Sequence, residues 1–343
     1  MKVNRIFFAL FVIFIVTSYG DDAWSLEFPF DHGPHFDARS EWWYFSGEIL
    51  TVEGKTLGFE CTIFKEQVNR RNAFAFIGHV AVSDPENVEH IFSETITYPP
   101  VPDIEEGKPV ININDFSYSF SETEGFIKVQ GRGENLNVDV DLYPLTGVLP
   151  HGEDGVIVMG DGRDSYYYSY TNLATTGNIT LKGIKYAISS GHTWMDHQWG
   201  NFTVFGDLWD WFSLRFDDGG ALMLFRFRNI FGDTVRSNWT YQSASGEVYY
   251  GEPFMMQAKR TYTDENGNCE YPVDWTVAVS NLDAIFAVKP LFDAQALYDV
   301  TTPDYWEGLC SFDGCIAGKK VSGSAYVELT GYCSIPFNST GGK

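Results

Sequence analysis

Two aspartates and one histidine stand where they could move protons. In Asp196-His197-Gln198-Trp199 an imidazole able to trade protons near neutral pH follows a carboxylate, which would fix its tautomer if the backbone turned to let them meet. Asp210 is embedded in Trp209-Asp210-Trp211-Phe212-Ser213. Taking Asp218-Gly219 as the two central residues of a hairpin turn and counting outward sets Phe212 opposite Phe225 and Asp210 opposite Phe227, a lone carboxylate on an apolar face. Burial raises a carboxyl pKa, and a neutral acid can protonate an alkene or polarise a carbonyl. The candidate catalytic residues are therefore His197, Asp210 and Asp196. Each has a structural alternative, with Asp210 tying down a loop or capping a barrel end and His197 clamping a loop through the backbone. The same count pairs Trp211 with Arg226 and Trp209 with Arg228, and in the first hairpin, counted from Glu53-Gly54, Trp42 with Lys65. Trp199, Trp209, Trp211, Trp43 and Tyr44 are then candidates to hold an apolar substrate, and Arg226 to stabilise developing negative charge.

Other chemistries find little support. His32 and His35 in Asp31-His32-Gly33-Pro34-His35 could be half of a metal site, but no matching cluster with zinc spacing accompanies them, so no metal is expected. The alternative is an ordered strap closing a barrel. No Gly-rich phosphate loop, Gly-x-Ser-x-Gly elbow or Cys-x-x-Cys is present, so no cofactor is expected either. A formal net charge of −23 without a Lys/Arg cluster argues against nucleic acid and anionic lipid. The partner left is a hydrophobic small molecule in an aromatic-rich cavity.

The elements that must position these residues read as strands. Aromatic and β-branched residues alternate with polar ones and stop at Gly, Asn or Asp over 41–51, 56–66, 74–82, 116–121, 126–131, 135–142, 166–170, 208–216, 221–228, 238–242 and 324–330. An Asp-His pair, an aromatic strand and an acid-Gly turn occur twice, half the chain apart, which predicts two similar all-β, barrel-like domains with Trp42 and Trp209 at equivalent positions. The domains are read as 21–187 and 188–343. Residues 1–20 carry Lys2, Arg5, an apolar run over 6–16 and small residues at the end, a signal-peptide pattern that predicts a secreted protein without stable membrane insertion. In that compartment Cys310 and Cys315, flanking a turn-like stretch, could bridge, and Asn178, Asn201, Asn238 and Asn338 begin glycosylation sequons.

The blocks Asp31-His32-Gly33-Pro34-His35 with Glu41-Trp42-Trp43-Tyr44-Phe45-Ser46-Gly47, His192-Thr193-Trp194-Met195-Asp196-His197-Gln198-Trp199-Gly200, Trp209-Asp210-Trp211-Phe212, and Tyr305-Trp306-Glu307-Gly308 with Tyr326-Val327-Glu328-Leu329-Thr330-Gly331-Tyr332 run through nearly the whole chain. In them the sequence resembles the carotenoid hydratase (CrtC)/AttH family, closer to its AttH branch. The resemblance implies an all-β fold of two tandem lipocalin-like β-barrel domains. It also implies cofactor-free hydration, isomerisation or cyclisation of an isoprenoid or polyketide-like molecule, and it carries over His197 and Trp199 residue by residue. Where the hydratase branch has an aspartate, 221–228 holds no acid and offers Arg226 and Arg228. The rival reading is a non-catalytic carrier. Convergence of Asp210 and His197 on one cavity would favour chemistry, and their separation the carrier.

Overall fold

The computed structural model describes residues 25–69, 73–100, 104–202, 208–298, 300–301 and 304–333. The segment read as a signal peptide and Asn338 lie outside them. The described chain is all-β apart from two short 3-10 turns.

The first sheet contains β1 (Ser40–Thr51), β2 (Thr56–Asn69), β3 (Ala73–Asp84), β4 (Glu89–Thr97), β5 (Val110–Ile113), β6 (Phe116–Ser121), β7 (Phe126–Arg132), β8 (Leu136–Pro144), β9 (Leu149–Pro150), β10 (Val156–Val158), β11 (Asp164–Leu181) and β12 (Ile184–Gly200). Its order is β4-β3-β2-β1-β12-β11-β8-β7-β6-β5, with β9 and β10 on β11. The sheet curls until β4 approaches β5, where the Asn114 amide donates to Thr95 at 2.8 Å and Thr97 at 3.0 Å, making a near-closed barrel.

The second sheet contains β13 (Leu208–Phe216), β14 (Ala221–Arg228), β15 (Thr234–Gln242), β16 (Val248–Gly251), β17 (Met255–Thr263), β18 (Glu270–Val279), β19 (Ala284–Pro290), β20 (Ala296–Leu297), β21 (Tyr305–Ile316) and β22 (Lys319–Thr330). Its order, β16-β15-β14-β13-β22-β21-β19-β18-β17 with β20 on β21, repeats the path of the first as a curled half-barrel. Trp42 and Trp209 thus lie on equivalent strands, β1 and β13, but not at equivalent positions: counted back from the two hairpin turns, Trp209 corresponds to Tyr44. The Asp-His pairs do not correspond: Asp31-His32 precedes β1, whereas Asp196-His197 lies inside β12. The boundary expected at 187/188 falls within β12, which is unbroken and pairs with β1, so the sheets change over between Gly200 and Leu208.

Both predicted hairpins form, each shifted by one residue. Phe216 donates to Gly220 O and Gly219 N–H returns to Phe216 O, leaving three loop residues, Asp217-Asp218-Gly219, with Gly219 at φ +94°. Thr51, Lys55 and Gly54 (φ +86°) repeat this arrangement. A type I turn followed by a left-handed glycine gives a three-residue connection, one longer than the count assumed. Asp210 therefore pairs with Arg226, not Phe227, Trp211 with Phe225, and Glu41 rather than Trp42 with Lys65.

Alternation along the strands sorts three apolar clusters. Trp43 and Phe45 fill the first barrel, Phe212, Leu214 and Trp306 the second. Trp42, Tyr44, Tyr167, Trp194, Trp209, Trp211 and Phe225 point the other way and pack the two sheets together. β1 and β13 are consequently buried on both faces. The segment before β1 is the ordered strap: Tyr118 and Trp43 donate to His32 O at 3.0 and 3.1 Å, and the His32 ring meets the Tyr168 hydroxyl at 2.7 Å inside the barrel.

The disulfide joins Cys269 to Cys333 instead of Cys310 to Cys315. Residues 311–314 continue β21 rather than turn, and side chains five apart on a strand leave opposite faces.

Candidate active site between the sheets

Asp196 and His197 are strand neighbours, so they face opposite sides of β12 and cannot act as a pair. His197 faces the first barrel. Its Nε2 meets Glu41 Oε1 at 2.9 Å and its Nδ1 meets the Asp31 carbonyl at 2.9 Å. Burial lowers its pKa against the pull of Glu41, and it rivets the strap to the strand. Trp43 and Trp199 stack around it, and Trp199 also lies flat on His35 at 4.1 Å. None of these three faces the space between the sheets.

His35, Glu41 and His197 bring potential metal-ligand atoms within 4.8 Å of one another, a grouping that spacing did not reveal because three separate segments supply it. Their atoms are already committed. Glu41 accepts from His35 at 2.7 Å and pairs with Lys65 at 3.0 Å, while His35 reaches Asp31 at 3.0 Å. Against the cost of burial, the hydrogen bonds to Asp31 and Glu41 raise His35 to about 9, and Lys65 and the imidazoles hold Glu41 well below the usual carboxylate range. An alternating chain of buried charges results, with the ammonium of Lys65 where a metal would need an open position.

Asp210 faces the interior of the half-barrel, and it is not alone there. Arg226 Nε donates to it at 2.6 Å, Arg228 Nε at 3.0 Å and the Tyr332 hydroxyl at 2.7 Å. The expected contacts of Trp211 with Arg226 and Trp209 with Arg228 are replaced: Arg226 lies over Trp275 and Arg228 over Tyr332, since the one-residue shift puts both guanidiniums on the Asp210 face. Asp210 and His197 thus occupy different barrels.

The remaining candidates do converge. Asp196, Tyr44, Trp209 and Trp211 line a narrow cleft between the sheets, with a free volume of about 20 Å³. Tyr167 donates to Asp196 at 2.6 Å, Trp194 Nε1 at 2.6 Å, and the Ser169 hydroxyl also binds it. Trp211 Nε1 supports Tyr167 at 2.9 Å, and His151, kept neutral by burial, backs Ser169 at 2.6 Å. All the donors are neutral. Desolvation outweighs their hydrogen bonds and raises Asp196 to about 7.

The opposite wall holds residues that the search for catalytic groups passed over. Glu307 and Glu328 are directly paired across β21 and β22, and Tyr44 donates to Glu307 Oε1 at 2.6 Å. Burial and mutual repulsion push Glu307 well above the carboxylate range, and burial raises Glu328 to about 8. Glu60 on β2, also buried, is raised for the same reason. Each acid stands in an apolar strand, Tyr305-Trp306-Glu307 and Tyr326-Val327-Glu328, the signal that could have found them. The cleft is a site where carboxyl groups from two sheets stay protonated near neutral pH and face aromatic walls.

The AttH-like family profile matches residues 20–332. The chain belongs to the AttH-like family. Its fold is similar to the crystal structure of an AttH from Nitrosomonas europaea (30% identity, TM-score 0.82, covering 91% of this chain and 98% of that one). It is also similar to that of kievitone hydratase from Nectria haematococca (22% identity, TM-score 0.74, covering 91% and 94%). Among curated sequences, kievitone hydratase of Fusarium solani subsp. phaseoli is 25% identical over 205 residues, 57% of either chain. The dehydratase asqC of Emericella nidulans is 23% identical over 226 residues, 63% of this chain and 64% of that one. The matched region spans less than two thirds of these curated relatives. This AttH-like protein thus has distant homologues named for adding or removing water on small molecules. Among its described residues no helix is long and apolar enough to cross a membrane.

Proposed function

We propose that the inter-sheet cleft, once its walls part beyond the roughly 20 Å³ now free, carries out cofactor-free acid–base chemistry, hydration, dehydration or isomerisation, on an apolar isoprenoid or polyketide-like molecule, with Asp196 as the proton donor and acceptor. The observation that carries this reading is a carboxyl group raised to about 7, held by neutral donors in an aromatic cleft and faced by Glu307 and Glu328. A group poised near working pH gives a proton and takes it back with little cost in either direction. In a hydration, protonated Asp196 would deliver its proton to an alkene carbon, water would add its oxygen to the resulting cation, and the Asp196 carboxylate would recover a proton from that water. Dehydration runs the same steps backward. The names of the hydratase and dehydratase relatives support this class of reaction.

A carrier is the second reading, favoured by the separation of His197 from Asp210. To distinguish the two, molecules that co-purify with the protein are identified by mass spectrometry and incubated with it in D2O or H2¹⁸O. Mass gain at a carbon or oxygen, lost in Asp196→Asn while binding persists, is the expected result. No mass change with the unaltered protein would establish the carrier.

A further inference from the structure

The cleft is selective in what it leaves out. Its lining includes three carboxyl groups, from Asp196, Glu307 and Glu328, and eight aromatic side chains, but among the described residues no Lys, Arg or His. The nearest guanidiniums on β14 are turned to the far side of the sheet and bound to Asp210. The indole N–H donors of Trp194 and Trp211 are already bonded to Asp196 and Tyr167.

Among the lining residues one polar atom is left over. Glu307 is only 1% exposed, yet its Oε2 has no partner, and the Oε2 of buried Glu60 is in the same condition. A buried carboxyl oxygen without a partner is costly, and a hydrogen-bond donor entering the cleft would relieve that cost. Indole faces such as those of Trp42, Trp209 and Trp211 favour a cation over a neutral group. A net charge of −23 raises the local concentration of cations.

We infer that the occupant of this cleft is an apolar molecule carrying a primary amine, whose ammonium head docks on the Glu307 and Glu328 wall. The unpartnered oxygen selects the head group: –NH3⁺ brings N–H donors to it and a tetramethylated nitrogen brings none. With the head on the second sheet, the body of the molecule is presented to Asp196 on the first. The inference rests on the cleft being the binding site proposed above, but not on turnover there.

Entry of the cation also moves protons. The titratable groups lining the cleft are Tyr44 on β1, Tyr167 on β11, Asp196 on β12, Tyr305 and Glu307 on β21 and Glu328 on β22, with Glu60 on β2 and Tyr326 on β22 beside Glu307. All carry raised pKa values, so an ammonium ion stabilises the ionised form of the nearest carboxyl and expels its proton.

The test is calorimetric titration of the full chain at pH 8 with 2-phenylethylamine, 2-phenylethanol and tetramethylammonium, repeated in two buffers of different ionisation enthalpy. The amine is expected to bind at least about tenfold tighter than the alcohol, the scale of a desolvated cation–aromatic contact, and to release a proton, while tetramethylammonium does not bind. Glu307→Gln should reduce amine affinity about tenfold and change the affinity for the alcohol much less. If that variant does not fold, proton release by the unaltered protein on binding the amine decides the same question, and its absence counts against the inference. Equal affinity for amine and alcohol overturns the amine inference and leaves the apolar-ligand reading intact. Binding of tetramethylammonium as tightly as the amine overturns it too, and binding of none of the three overturns both.

Discussion

Asp196 and Asp210 are both buried, both on strands packed on either face, and both hold three or more hydrogen bonds. Their surroundings give them opposite characters. Two guanidiniums stand against Asp210, so its charge is matched and the cluster is fixed. Around Asp196 the donors are a phenol, a hydroxyl and an indole, none of which supplies a charge, and desolvation wins. The charge of the donors, more than their number, decides whether a buried carboxylate is a strut or a proton carrier.

Removing each carboxylate should separate the two roles. Asp210→Asn leaves Arg228 buried without its counterion and is expected to cost about 3–5 kcal/mol in urea unfolding, with ligand binding in the cleft retained by the folded fraction. Equal stability of the variant would show that the guanidiniums find other partners and that the contrast is overstated. Asp196→Asn is expected to reverse the pattern, with roughly a hundredfold loss in turnover of the identified substrate and a small change in melting temperature. A variant that melts early but turns over normally would move Asp196 into the class of Asp210.

The pH dependence of stability sharpens the comparison. Asp196 and Glu328 have folded pKa values of about 7 and 8, above their unfolded values, so the folded state binds more protons between roughly pH 4 and 8. Their contribution is therefore greatest at low pH and is lost as pH rises through that window. His35, raised to about 9, adds stability that is present below 6.5 and lost through 9. Melting temperature is expected to fall from pH 6 to 9, and the fall should flatten in Asp196→Asn with Glu328→Gln. The smallest expected effect is that of Trp211→Phe, which removes one donor to Tyr167 and should cost about 1 kcal/mol.

Much of this was legible in the residues. Alternation marked β1 to β3, β6 to β8, β13, β14, most of β22 and parts of β11 and β15, but not β4, β12, β17, β18, β19 or β21, and Gly54 and Gly219 marked both hairpins. The register failed in both for one reason: an acid-Gly pair looks the same in a two-residue loop and at the end of a three-residue one. That single residue moved Arg226 from the Trp211 face to the Asp210 face, turning an expected lone acid into an ion pair. Asp196 was legible as a candidate, but its partners were not. Glu307 and Glu328 meet it only because two sheets pack face to face, and strand alternation states which residues share a face, never which sheet that face will meet.

β12 has a consequence for what the gene can tolerate. Its inner side chains rivet the strap through His197, and its outer side chains form one wall of the cleft through Asp196. Because neighbouring residues exchange faces on a one-residue slip, a single-codon insertion or deletion between His192 and Gly200 would push an imidazole into the cleft and an unpaired carboxyl into the barrel. Length changes are therefore expected to be excluded from this strand, even where substitutions of similar size are accepted.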